Sequence, residues 1–331
     1  MVALVISTVF TYYYFLYTNE YPQGSYEKIA SYSADKVFQT RLLVTTIANF
    51  LVPSIPLIEF CFQWLVPYPI TYEVILQILN ISFLIILLYT IPSFLNNLGI
   101  SINPWISFLI MIPLSWNYIV INGMLDGAGL YYPYDIPSIS LFTLGVVLFQ
   151  NSKWKRFYFI YTIALLNRES ACFITITGIF LEIKKKDQGL IQWLNKNKLI
   201  FKHVLMQSFL WLSSRIILSW SFKDNPGLFF EQPHSMWEFI GCIITNESHW
   251  AMNKPVWFLT LFAGIWIIPI FGFYYLPKQT IKLSFVGLIY LIVLTFRSNM
   301  METRVYNEMN IILFVIVISI FFRNERFKRN E

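Results

Sequence analysis

Charge is what this sequence has least of. Asp, Glu, Lys and Arg together make up 13% of its 331 residues, against 56% that are hydrophobic. A soluble domain of this length wraps its core in charged side chains, because Lys, Glu, Arg and Asp populate the surface. Too few are present here for that coat.

Cysteine is nearly as scarce. Cys61 and Cys172 lie inside apolar runs and Cys242 stands alone in a polar stretch. With no CxxC pair, neither a disulfide framework nor a zinc site is indicated. Also missing are a Gly-rich phosphate loop, a nucleophile elbow, an HExxH helix and a cofactor fingerprint. No repeat, low-complexity linker or composition shift divides the chain. The first residues run straight into VALVISTVFTYYYFLY, with neither a basic n-region nor a small-residue cleavage motif. They read as a retained first span.

What the chain does have is apolar length and aromatic rings: 31 Phe, 20 Tyr and 11 Trp, with a mean hydropathy of +0.57. Crossing the hydrocarbon takes about 20 apolar residues in a helix. The alternation of a transmembrane barrel strand is absent. The expected fold class is therefore all-α, a polytopic transmembrane helical bundle of about ten spans forming one membrane domain over 1–331. The candidate spans are 2–17, 70–95, 104–122, 134–150, 154–167, 169–183, 203–222, 254–275, 283–296 and 305–322. The stretch 41–66 is broken by Pro53 and Pro56 and reads as re-entrant or interfacial. Tyr12 to Tyr14, Trp105, Tyr131, Tyr132, Tyr274 and Tyr275 crowd span ends, as an interfacial aromatic belt does.

The excess of basic residues, net charge +6, has a local explanation. Lys153, Lys155 and Arg156, Lys184 to Lys186, Lys278 and Lys282, and the tail Arg323 to Arg329 all sit in short segments beside spans, the marker of cytoplasmic loops. Nucleic acid is not the expected partner; the lipid bilayer is. Counting back from a cytoplasmic tail places 151–156, 184–202 and 276–282 inside. It places 18–40, 123–134, 223–253 and 297–304 outside. That alternation requires 41–66 to end on the side where it begins.

Three polar clusters then share the outer face: Asp126 to Asp135, Asn167-Arg168-Glu169, and Glu302 to Arg304 with Glu308 behind. An ionisable group at membrane depth costs about 2.5–3.5 kcal/mol even on lenient scales, so such groups are paired and mark function. Each cluster also has a plainer reading. Asp135 precedes Ile136-Pro137 and suits a helix start. Arg168 and Glu169 suit an internal ion pair, which is an inefficient source of stability. Arg304 and Glu308 are four apart and suit a helical pair. The functional readings are a carboxylate base at Asp135 and guanidinium forks for phosphate at Arg168 and Arg304. The first outer loop adds Glu20, Glu27, Asp35 and Arg41, equally consistent with a solvated connector. His234, Glu238, Glu247 and His249 in 223–253 lack metal-ligand spacing, and FFEQPHSMWEFIGCII at 229–244 suits an amphipathic interfacial helix.

Four short motifs carry a resemblance: QTRLLVT at 39–45, YYPYDIPS at 131–138, LLNRES at 165–170 and METRVYNE at 301–308. They resemble the RxLxP, Tyr-Pro-Asp, Asn-Arg-Glu-Thr and Glu-x-Arg signatures of a group of bacterial polytopic membrane proteins similar to C-type glycosyltransferases. The proline of the first pattern is replaced here by Thr45 or Thr46, and the first outer loop has no adjacent acidic pair. The resemblance implies an enzyme at the outer face of the cell inner membrane. Such an enzyme moves a sugar from a polyprenyl-phosphate donor to a cell-envelope glycan or lipid. It implies a first-outer-loop carboxylate, Glu20, Glu27 or Asp35, as the base; with the reading of Asp135 above, the expected bases are Asp35, Glu27 or Asp135. For substrate binding it implies Arg41, Asp126, Asn167, Arg168, Glu169, Glu302 and Arg304. A lipid-linked sugar is the implied partner, and a divalent metal is left open as cofactor. The alternatives are a polysaccharide polymerase or ligase, and a transporter or flippase of an anionic lipid or solute.

Overall fold

The computed structural model describes residues 1–54, 56, 72–125, 129–183, 190–228, 255–297 and 306–322. These are overwhelmingly helical, and the only sheet among them is a pair of two-residue strands. The chain is all-α.

Two helices lie at the centre: α7 (Asp135–Gln150) and α13 (Asn307–Phe321). Almost every residue of α7 is buried, as is every residue of α13 from Asn307 to Ser319. A helix that is apolar all round has no solvent face to offer and packs on every side. Accordingly α7 contacts α5 (Tyr72–Asn97), α8 (Trp154–Asn167), α9 (Cys172–Glu182) and α13. Helix α1 (Val2–Tyr17) lies on α5, and α12 (Lys278–Arg297) lies between α9 and α13. Close approach of α7 and α9 depends on small residues. A Cβ on Gly178 would meet the Phe149 ring at 2.9 Å.

The outer helices are built inside out. Helix α1 buries Ser7 and Thr11 but exposes Leu4, Val5, Val9 and Leu16. Helix α10 (Leu190–Ser221) buries Gln207 but exposes Leu205, Phe209, Leu212, Ile216, Ile217 and Trp220. A water-facing surface would have the reverse pattern.

Length separates these helices. Among the described residues two are long and apolar enough to cross a membrane: Tyr72–Asn97 and the composite Pro104–Met124. The latter joins a 3-10 segment, α6 (Met111–Ser115) and a π-helix over Trp116–Leu125. Val2–Tyr17, Asp135–Gln150 and Asn307–Phe321 are apolar but shorter. The expected continuous span at 254–275 is instead broken. A 3-10 segment, Pro255–Gly264, ends in left-handed Phe262 and Ala263, and α11 (Ile267–Gly272) follows. The freed backbone N–H of Phe262 donates to Asn117 Oδ1 at 2.8 Å, so the break leaves that buried donor satisfied. The 41–66 stretch begins with the nine-residue α4 (Leu43–Leu51) and a 3-10 turn over Val52–Ser54. At 1.5 Å per residue, α4 is roughly 14 Å long, about half the hydrocarbon thickness. Most of the rest of that stretch lies outside the described residues.

Connecting segments gather at two ends. At one, β1 (Asn19–Glu20) pairs in parallel with β2 (Leu130–Tyr131). There too Asn225 donates to the carbonyls of Tyr32 and Ala34. At the other, Asn97 donates to Gln150 (3.3 Å), and Lys282 donates to the Leu181 carbonyl (3.2 Å).

Candidate functional site

The first of these ends is where the buried charges meet. The N-termini of α7 and α13 arrive there, together with the tight link between α8 and α9 and the residues just before α4. Short α8 and α9 are joined by a single 3-10 turn, Glu169–Ala171, with Arg168 extended ahead of it. Asn167, Arg168 and Glu169 are thus held inside the bundle with no loop to carry them out.

Arg41 is 2% exposed and uses its whole fork. Nη2 and Nε donate to the two Glu169 carboxylate oxygens at 2.8 and 3.4 Å, and Nη1 donates to the Tyr134 hydroxyl at 2.6 Å. Its guanidinium also lies 4.6 Å from the Tyr134 ring centroid, a cation–π contact. Arg168 pairs with Asp135 through Nη1 at 3.2 Å, and its buried Nε has no hydrogen-bond partner. Asp135 is fully buried and also accepts from Asn307 Nδ2 at 3.0 Å. Asn167 Nδ2 donates to the Tyr134 carbonyl at 2.9 Å.

The start of α13 completes the network. Glu308 accepts from the hydroxyls of Ser138 (2.7 Å), Ser170 and Tyr290 (2.5 Å). Tyr118, on the π-helix, donates to Asn307, and Asn117 donates to Asn310 at 3.0 Å. An irregular helix beside a polar centre fits the association of π-bulges with functional sites. Both Asp135 and Glu308 sit in the first turn of their helices, where the macrodipole favours an anion.

Glu169 is the accessible member, with about a third of its side chain open. Trp211 and Arg215 of α10 close the hairpin from outside, donating to the carbonyls of Glu169 (3.0 Å) and Leu165 (2.5 Å).

The structure brings Arg41, Asp135, Asn167, Arg168, Glu169 and Glu308 together. It does not bring Glu27 or Asp35. Glu27 is exposed on the short helix α2 (Tyr26–Ala30). Asp35 opens α3 (Lys36–Gln39), half-buried beside Gly227. The physical reason is the fold of the first connector. It packs Ile29, Val37 and Phe38 against Tyr132 and Tyr134, while Glu27 stays exposed and Asp35 half-buried. Glu20 organises the same connector, accepting from the Tyr26 N–H (2.5 Å) and the Tyr72 hydroxyl (2.8 Å). Asp126, Glu302, Arg304, His234, Glu238, Glu247 and His249 lie outside the described residues. Among the described residues no three His, Cys, Asp or Glu side chains are grouped to hold a metal.

Sequence reasoning missed the neutral polar partners: Asn117, Tyr118, Ser138, Ser170, Tyr290, Asn307 and Asn310. The asparagines did leave a signal, since each interrupts an apolar run and an amide inside a bundle needs partners. The serines and tyrosines did not, because both types also populate ordinary helix surfaces.

No protein-family model matches the chain, and no curated protein or solved structure matches it.

Proposed function

We propose that this protein is a multi-pass membrane enzyme of the inner membrane, with about ten membrane segments. In this reading it transfers a sugar from a lipid-phosphate donor to an envelope glycan or lipid. The observation that carries the reading is the pair of buried arginines, Arg41 and Arg168, brought to one end of a bundle with exposed apolar faces. Guanidinium forks match phosphate geometry. Even paired with Glu169 and Asp135, two such charges in an apolar bundle are an inefficient source of stability, which favours a role for them in binding. The exposed apolar faces of α1 and α10 support the membrane part of the reading.

The chemistry then divides among the residues. A donor phosphate takes the Arg41 fork from Glu169, and the uncompensated Nε of Arg168 turns to the same anion. Glu169, released from Arg41, becomes basic enough to accept the proton of the acceptor hydroxyl. That oxygen bonds to the anomeric carbon. The bond from the anomeric carbon to the phosphate oxygen breaks, and the phosphate leaves with the electron pair, its charge held by the arginines. Asp135 stays between Arg168 and Asn307 and positions the guanidinium.

The test is transfer of labelled sugar from a polyprenyl-phosphate donor by membranes containing Arg41→Lys or Arg168→Lys. Lysine keeps the charge and loses the fork. Transfer should fall by a factor on the order of 10² with membrane abundance unchanged. Wild-type transfer by both variants overturns the reading.

A further inference from the structure

The end of the bundle opposite the buried arginines, where α7 finishes and α8 begins, carries a concentration of charge of its own. Lys153, Lys155 and Arg156 are exposed there around the half-buried Trp154. These four residues line an open depression of about 420 Å³, a volume within the ~300–1,000 Å³ of ligand sites. Trp154 is a fixed wall of it. Its ring stacks on His203 of α10, 3.5 Å between centroids and 12° between planes, and meets Phe149 and Phe157 edge-on. His203 Nδ1 is in turn 2.7 Å from the Tyr158 hydroxyl. The stack brings a second basic segment to the same level, because Lys198 and Lys202, exposed and one turn apart on α10, immediately precede His203.

Apolar surface begins one turn further along both helices. Phe159 on α8 and Leu205 and Met206 on α10 are exposed. Cations bordered by exposed apolar side chains are the complement of an amphiphile, an anionic head carried on hydrocarbon. A free phosphate would use the cations and leave the apolar surface bare. The cations also stand against the field of their own helix, since the start of α8 repels positive charge and its first turn has no acidic residue. An anionic head relieves both that field and the repulsion among the three side chains.

We propose that this depression binds the phosphate headgroup of an anionic phospholipid, whose acyl chains run along Phe159, Leu205 and Met206. Lysine and arginine beside membrane helices attract such headgroups, and tryptophan favours the headgroup level. Bound there, the lipid bridges α8 to α10, the helix whose Trp211 and Arg215 close the Glu169 hairpin at the other end. The inference rests on the membrane part of the reading above and not on sugar transfer.

The experiment uses the full-length protein extracted from membranes with a neutral detergent. Release without detergent would fail the membrane reading itself, before any lipid is added. The Tm is then followed as phosphatidylglycerol or phosphatidylcholine is titrated in. Phosphatidylglycerol should raise it saturably, as a ligand of the folded state does, and phosphatidylcholine should not. A basic residue near a membrane surface is worth roughly fivefold in anionic-lipid affinity, so the triple variant Lys153→Gln, Lys155→Gln, Arg156→Gln should raise the half-saturating concentration about 10²-fold. Lys223→Gln, exposed at the other end of the bundle, should leave it unchanged. Should the triple variant fail to fold, Lys155→Gln alone decides, with an expected loss of about fivefold. Equal Tm in the two lipids overturns the proposal. So does a phosphatidylglycerol response that these variants retain in full, which would belong to other basic segments. An equal response to inorganic phosphate alone overturns it as well, leaving a site for free phosphate.

Discussion

The residue that decides most is Arg168, because it has the least freedom to be anything else. Its fork is tied to Asp135, which is fully buried, and removing either partner strands a charge inside the bundle. Arg168→Ala or Asp135→Ala should cost about 3–5 kcal/mol. Replacing both, as Arg168→Met with Asp135→Leu, should recover most of it, since an apolar pair of similar volume is often as stable as a buried ion pair. Tm values of the two single variants and the double variant check this as a mutant cycle. The Arg41–Glu169 pair differs in being partly open, so Glu169→Gln should lower the Tm less than Asp135→Ala does. Arg168 was legible in the sequence because charge between two apolar runs stands out, whereas Arg41 was marked only by the resemblance of QTRLLVT to a known pattern. Their partners were only partly so. Nothing in the spacing says that Arg41 pairs across the chain with Glu169 rather than with nearby Glu27 or Asp35.

At the scale of elements, helix length and helix packing carry different kinds of information. Apolar runs marked nearly every helix, because burial or lipid contact along a whole element demands a run. What they did not mark was the break at Phe262–Gly264. Its left-handed residues follow an apolar stretch with no proline at the break, and it is held open by an asparagine about 145 positions away. The contact of α7 with α9 shows the same dependence. Gly178 looks like any glycine in a helix until Phe149 is found across it. Gly178→Ala presses a methyl carbon into that ring and should cost about 1–3 kcal/mol, visible as a lower Tm. Alanine is otherwise the better helix former, so a rise in Tm would show that the helices have room.

On the scale of the whole molecule, apolar side chains fill the core and also cover the exposed faces of α1 and α10, and a bilayer is the solvent that suits those faces. The protein should remain with membranes after alkaline carbonate washing. A cysteine placed at Ser33 should react with an impermeant maleimide from the face opposite to one placed at Lys155, each measured in a variant lacking the native cysteines. Reaction of both from one face would contradict the basic-loop count. The two ends of the bundle also differ in content. One holds Arg41, Asp135, Arg168, Glu169 and Glu308, the other Asn97, Gln150 and Lys282.

The sequence by itself determined that the chain is helical and that its charges are exceptional. Both are properties of local composition: about twenty apolar residues need no partner to declare themselves, and neither does an arginine among them. Only the tertiary structure decided which charges meet. Arg41 to Glu169 and Asp135 to Arg168 are contacts between distant segments, set by how α7, α13 and the α8–α9 hairpin pack. Glu308 with three hydroxyls is likewise a product of that packing, because its partners come from separate elements and no single run of residues contains them.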